Sequence, residues 1–323
     1  MVRIVFFGSP NFALPSLSRC INLDNAEVIA IVTQPDRRQG RKSQLIPTPV
    51  KSMAINYGIT NIFQPHKITN DIIEKLSQLK PDVGIVAASG HILPEQLLAI
   101  FPNDVLNLHG SLLPKHRGAS AVANAIIAGD SESGATIMKI VKEVDAGPIL
   151  GQVRTPILIT DTTSSLSERI ADIGADLLIK ILPQWINGEI KPEKQNVQLA
   201  THTKKLKKTD GKINWYNSSN NIALTVRAFN PWPLAHTMYK QKLFVIHQAW
   251  SIPDFYSEEK PGTIIEIIEN ENQNSSTFLR KTIAVVCGEG ALGLTEIQRS
   301  GKKVQSIKDY LNGDRSFIGS NFD

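Results

Sequence analysis

The stretch DVLNLHGSLLPKHRGAS, Asp104–Ser120, carries two polar residues, Asn107 and His109, at the end of what reads as a buried strand. Residues two apart on a strand point to the same face, so these two project side by side before Gly110 ends the strand. Such a pair is a poor choice for a core and a natural one for a site. Apolar, β-branched runs of the same kind recur at VRIVFFG (2–8), EVIAIVTQ (27–34), DVGIVAAS (82–89) and ATIMKIV (135–141). Helical patterns lie between them, as in NDIIEKLSQL (70–79) and ASAVANAIIAG (119–129). Alternation of this kind predicts a doubly wound α/β domain around a mainly parallel sheet, with ligands beyond the carboxyl ends of the strands.

That domain is expected to occupy residues 1–189. Its last helix has the capping-box spacing at Ser165–Glu168 and apolar steps running towards Trp185 and Gly188. Polar, basic sequence follows, GEIKPEKQNVQLATHTKKLKKTDGK, and residues 190–208 read as a linker. From 209 to 323 the chain looks mostly β, in HTMYKQKLFVIHQAWSI (236–252), GTIIEIIEN (262–270) and KTIAVVCGEGALGLTEIQ (281–298). A small β-barrel, OB-like, is the expectation there.

Bulk properties agree with two domains in 323 residues. The opening MVRIVFFGSP is a strand broken by a turn rather than a signal peptide, and no apolar run approaches the length of a membrane span. Cys20 and Cys287 stand far apart without metal-ligand spacing, so neither a disulfide framework nor a metal site is expected. Lys and Arg outnumber Asp and Glu by 35 to 30, an excess too small to name a partner by itself.

If the polar pair is a site, Asn107 offers an uncharged N–H donor to a developing oxyanion, and His109 can donate to it or move a proton. Asp145 in KEVDAGPIL is the group best spaced to orient the imidazole, arriving just after a strand and before a flexible turn. No Gly-x-Ser-x-Gly elbow exists and neither Cys has catalytic company, so a covalent acyl-enzyme is not expected. Each piece also has a packing explanation. Asn107 could cap a turn, Gly8-Ser9-Pro10 reads as a strand-to-helix corner with Ser9 as N-cap, and Trp215, Phe229 and Trp232 read as packing between domains. His91 and His116 read as loop residues.

NLHGSLLPKHRGAS (107–120) resembles the signature of formyltransferases that use 10-formyltetrahydrofolate. The resemblance implies a Rossmann-like formyltransferase domain, with Asn107, His109 and Asp145 catalytic and Ser111, Leu112, Leu113 and Pro114 lying against the folate co-substrate, without a metal. Four further stretches, FFGSPNFALPSL (6–17), TQPDRRQGRKSQLIPTPVK (33–51), KKLKKTDGKINW (204–215) and RAFNPWPLA (227–235), resemble the branch whose acceptor is methionine on initiator tRNA. That resemblance implies a tRNA-binding C-terminal domain, tRNA contacts at Arg41, Lys42, Lys205 and Lys208, and a monomer working in the bacterial cytoplasm. Nucleotide-sugar formyltransferases and formyltetrahydrofolate hydrolases lack a use for the basic stretches; glycinamide ribonucleotide formyltransferase ends after the first domain. An RNA-binding module with a silent triad is the alternative outside catalysis. Ser89, where Tyr is usual, Ala121, where Pro is common, and Asn214, where Asp is frequent, depart from the pattern.

Overall fold

A computed structural model describes residues 1–39, 44–273 and 276–323, and the expectations at Arg41 and Lys42 fall outside them. The apolar runs become β1 (Val2–Gly8), β2 (Ala26–Val32), β3 (Ile62–Phe63), β4 (Val83–Ala87), β5 (Val105–His109), β6 (Glu132–Lys139) and β7 (Ile149–Pro156). They form one sheet in the order β7-β6-β5-β4-β1-β2-β3. The five strands from β3 to β5 are parallel, as their continuous hydrophobicity predicts. β6 and β7 are antiparallel additions at one edge.

Alternation along β5 sends Leu106 and Leu108 to one face and Val105, Asn107 and His109 to the other. Val105 joins Val5, Phe7, Val86, Leu97 and Phe101 in the core of its face. Leu108 meets the long helix Thr163–Ile186, which buries Leu166, Ile170, Gly174, Leu178 and Ile181 at helical spacing. This helix begins two residues before Ser165, which therefore lies in its first turn rather than at its cap.

The chain divides into two compact units. The first comprises residues 1–122, 131–157 and 165–204, and the second residues 123–130, 158–164 and 205–323. Residues 190–204, read from sequence as linker, thus belong to the first unit. The second unit holds an antiparallel sheet of β8 (Ala235–Tyr239), β9 (Lys242–Ile252), β10 (Ile264–Gln273), β11 (Ser276–Val286) and β12 (Ala291–Arg299), in the order β8-β9-β12-β11-β10. Gln305–Ser306 adds a short sixth strand against β12.

The carboxyl-terminal tail joins the two edges of this sheet. Asn321 pairs with Thr263 beside β10, and the Asp323 N–H donates to the Met238 carbonyl of β8. Tail residue Phe322 sits in an aromatic core with Trp215, Tyr239, Phe244, Tyr310 and Phe317. Trp215 is buried in the core of this second unit and Phe229 is buried too, whereas Trp232 is 52% exposed at a corner between two prolines. The β8–β9 hairpin turns at Lys240-Gln241, both left-handed, where the sequence has none of the Gly or Asn that usually marks such a turn.

Gly174 tests the helix–sheet packing. An added Cβ would lie 2.7 Å from Ala135 Cβ and 2.9 Å from Leu108 Cδ1. In an open helix Gly→Ala gains about 0.8–1 kcal/mol, whereas forced overpacking costs about 1–3 kcal/mol. Gly174→Ala is expected to lower the midpoint of denaturant unfolding; a raised midpoint would show that the helix rides above the sheet.

Candidate active site

Strand β5 delivers Asn107 and His109 to the carboxyl edge of the sheet, only 9% and 7% exposed. The Asn107 side-chain amide makes no hydrogen bond to any described residue. The His109 ring is gripped at both ends. Its Nδ1 lies 3.5 Å from Asp145 Oδ2, and its Nε2 lies 3.0 Å from the His116 carbonyl oxygen. Both neighbours are acceptors, so a doubly protonated ring satisfies both and a neutral ring satisfies one.

Asp145 arrives by a route that strand adjacency does not predict. β6 runs antiparallel to β5, pairing Thr136 with His109 and Lys139 with Leu106, so β6 ends beside the start of β5. The connection to β7 must carry Asp145 back along the sheet to reach the His109 ring. There Asp145 adopts a left-handed conformation, φ +50°, and its Oδ2 accepts from the Gly118 N–H at 2.7 Å. His116 (φ +59°) and Ser120 (φ +63°) are left-handed too. Such backbone strain persists only where surroundings over-determine it, and it gathers at functional sites.

The Ser111–Pro114 loop is anchored from beneath. Thr136 Oγ1 donates to the Ser111 carbonyl (2.6 Å) and accepts from the Leu113 N–H (3.1 Å). Gln152 Nε2 donates to the Leu113 carbonyl (2.8 Å) and to Thr136 Oγ1 (2.9 Å), while Ser111 Oγ donates to the Lys115 carbonyl (2.7 Å). Ser111 and Leu113 are therefore buried scaffold, and Leu112 and Pro114 present the loop's half-buried apolar surface.

A second polar network ties the ends of β1, β2 and β4. Ser9 Oγ accepts from the Gln34 N–H (3.0 Å) and donates to the Ser89 carbonyl (3.2 Å), so it caps no helix; Pro10 occupies the cap of a short 3-10 turn and Leu14–Ile21 is the first α-helix. Ser89 Oγ meets His91 Nδ1 at 2.8 Å, and His91 Nε2 meets the Pro65 carbonyl at 2.9 Å. His91 is a loop residue, as read from the sequence, and is held at both ring nitrogens. Nearby, hydrogen bonds from Lys51 (2.7 Å) and Gln64 (2.6 Å) hold the Asp36 carboxyl below its usual range. They pin the base of the basic loop, whose described flanks Arg37–Gln39 and Gln44–Ile46 pair as a ribbon. Burial pushes both the Cys20 and Cys287 thiols up to about 12.

Lys205 and Lys208 are exposed, and neither makes an ion pair with a described residue. Three supporting residues escaped the sequence reading: Thr136, Gln152 and Gln195. The Gln195 amide donates to the Asp145 (2.8 Å) and Gly147 (2.7 Å) carbonyls and accepts from Arg117 Nε (3.0 Å) and Nη2 (2.8 Å). No residue pattern signals a side chain whose partners are backbone carbonyls and a side chain 78 residues away.

Residues 2–182 match the family model described as "Formyl transferase", and residues 205–315 match "Formyl transferase, C-terminal domain". A methionyl-tRNA formyltransferase of Streptococcus gordonii is 38% identical over 314 residues, 97% of this chain and 96% of that one. Its counterpart in Marinobacter nauticus is 38% identical over 98% of each chain. Among solved structures, an N-formyltransferase from Helicobacter canadensis in complex with folinic acid and dTDP-3-aminofucose superposes with TM-score 0.65 at 20% identity, covering 93% of this chain and 100% of that one. HypX from Aquifex aeolicus in complex with tetrahydrofolic acid does so with TM-score 0.61 at 15% identity, over 98% of this chain and 48% of its own. These two share the fold.

The loop anchor can be probed without touching the polar pair. Thr136→Val keeps shape but strands the Leu113 N–H, the Ser111 carbonyl and one Gln152 bond, at about 1–3 kcal/mol for an unmet buried group. A thermal melt should show a loss of this order, and Thr136→Ser, which keeps the hydroxyl, should lose far less. Equal losses would make methyl packing the anchor.

Proposed function

This chain belongs to the methionyl-tRNA formyltransferases, and from that premise we propose that Asn107, His109 and Asp145 are the groups with which it formylates methionine on initiator tRNA. It is a formyltransferase that modifies methionyl-tRNA for the initiation of translation. The observation that carries the residue assignment is the convergence, on one buried strand end, of an amide free of described partners and an imidazole backed by a carboxylate.

The donor on this reading is 10-formyltetrahydrofolate, which supplies a formyl carbon on the folate N10 that is open to attack by an amine. The apolar faces of Leu112 and Pro114 fit the flank of such a molecule, and the Thr136–Gln152 anchor keeps them in place. The free α-amine of the methionyl ester attacks that carbon. Asn107 donates its N–H to the oxygen on which charge develops, and His109 donates beside it once the ring turns from the His116 carbonyl. Asp145 holds the imidazole and helps remove the amine proton through water. The formyl C–N10 bond then breaks as N10 takes up a proton, so that tetrahydrofolate leaves and the formyl group stays on the methionyl nitrogen. One oxyanion donor is worth about 10²–10³ in rate, so two donors and good positioning carry much of the catalysis.

Arg41, Lys42, Lys205 and Lys208 are assigned to tRNA. The exposure of Lys205 and Lys208 supports this, since unpaired ammonium groups can exchange counterions for phosphates. The bacterial cytoplasm is the compartment this reading assigns, since the formylated initiator serves bacterial-type initiation and the relatives are bacterial.

Two measurements test the assignments. Transfer of labelled formyl to charged initiator tRNA, with uncharged tRNA as control, should fall at least about 10²-fold in both Asn107→Ala and Asn107→Asp, because a carboxylate repels the oxyanion. Near-normal turnover of Asn107→Asp would remove Asn107 from the mechanism. Replacing Lys205 and Lys208 by Gln should weaken tRNA binding and reduce the log–log salt slope by roughly 0.7–0.9 per lost phosphate contact; an unchanged slope would reduce them to surface charge.

A further inference from the structure

Gln195 lies in a segment that is otherwise turned to solvent: of residues 193–199 it alone is not exposed. Its amide uses its full capacity of two acceptor sites and two donors. Oε1 takes Nε and Nη2 of the buried Arg117, and Nε2 gives to the carbonyls of Asp145 and Gly147. Arg117 belongs to the loop whose His116 carbonyl meets His109 Nε2, and Asp145 heads the loop that meets His109 Nδ1. One side chain thus bridges the two loops that grip the imidazole from opposite ends.

We infer that Gln195 is a positioning residue for formyl transfer, fixing the spacing of those two loops so that the Asp145 carboxylate and the His109 ring meet in productive geometry. This rests on the assignment of His109 and Asp145 above and adds to it. The carbonyl that Gln195 tethers belongs to Asp145 itself, in a left-handed conformation that needs outside support. Gly118 supplies the other restraint through its N–H on the carboxylate, and Thr203, paired with it in parallel, leaves no room for a larger residue, an added Cβ coming within 2.7 Å of the Thr203 carbonyl oxygen. The bases of both loops are fastened by the same segment, since Thr201 accepts from the Arg117 N–H at 2.8 Å and Glu193 exchanges two 2.8 Å bonds with Ile149. Gln195 is the member that reaches the catalytic residue directly.

The test uses the full-length enzyme with 10-formyltetrahydrofolate and charged initiator tRNA. Gln195→Met keeps length and loses all four bonds. Gln195→Glu keeps the acceptors for Arg117 and turns the two donors into oxygens facing the Asp145 and Gly147 carbonyls. Both should lower kcat by about 10–100-fold, the scale of a small misplacement of reacting groups, with KM for donor and tRNA within about twofold. Single-turnover rates in an Asp145→Ala background should then show no further loss from Gln195→Met, because a residue acting through Asp145 has nothing left to position. The inference is overturned by kcat within twofold of the parent in both variants, by additive losses in the double variant, or by loss of the folded state in both variants, which would make Gln195 a residue of general stability. Activity persisting in Asp145→Ala alone would instead overturn the assignment on which it rests.

Discussion

An imidazole held between two oxygen acceptors is the arrangement on which the rest of the first unit depends. His109 is 7% exposed, with a carboxylate at one nitrogen and a backbone carbonyl at the other. Neither acceptor lies on the strand that carries the ring. Each sits on a loop, and each of those residues, His116 and Asp145, has a left-handed backbone. A ring so placed is oriented only as well as the two loops are, and loops of strained residues do not hold themselves. The buried ties around the site answer that need: Gly118 to Asp145, Thr136 and Gln152 to the 111–114 loop, Gln195 to both sides of the imidazole.

The sheet supplies the geometry by changing direction at β5. Parallel strands alone bring loops to one edge, each separated from the next by a helix. With β6 antiparallel beside β5, the segment following Lys139 begins at the far edge and must return across the sheet. That return places an acidic side chain against a histidine from the neighbouring strand. Asn107 and His109 share the face of Val105, and Leu108 faces the long helix across the sheet. A one-residue slip of β5 would exchange those faces and bury the polar pair under that helix.

The parts legible in the sequence were those encoded by periodicity or by a polar residue out of place. Continuous β-branched runs announced the parallel strands, and the Asn-x-His spacing announced a shared face. Asp145 was singled out by its position after a strand, and the route that brings it to the His109 ring stayed hidden because pairing direction leaves no mark on an apolar run. Ser9 was misassigned because a serine before a proline looks like a helix cap, and the competing bonds to Gln34 and Ser89 come from residues far along the chain. The Lys240-Gln241 turn was invisible because it does without glycine. Thr136, Gln152 and Gln195 left no signal because most of their bonds go to backbone groups, which ask nothing of the sequence of the partner, and the side-chain partners they have lie far along the chain.

The segment from Glu193 to Thr203 shows how little apolar burial an element near an active site can have. Val197 and Leu199 are exposed, at 73% and 62%, so the segment is held by hydrogen bonds to the loops beneath it rather than by a core. A net hydrogen bond contributes about 0.5–1.5 kcal/mol, and ordering a residue's backbone costs about 1–2 kcal/mol. With roughly one bond per residue, such a segment sits close to break-even and belongs to the labile end of the fold's stability range. The Gln195 amide is then strong locally because its four bonds converge on one side chain, whose immobilisation costs only about 1.5–2 kcal/mol. Concentrating the ties at one residue fastens Asp145 without requiring the whole segment to be rigid, and the exposed residues around it stay free of that constraint.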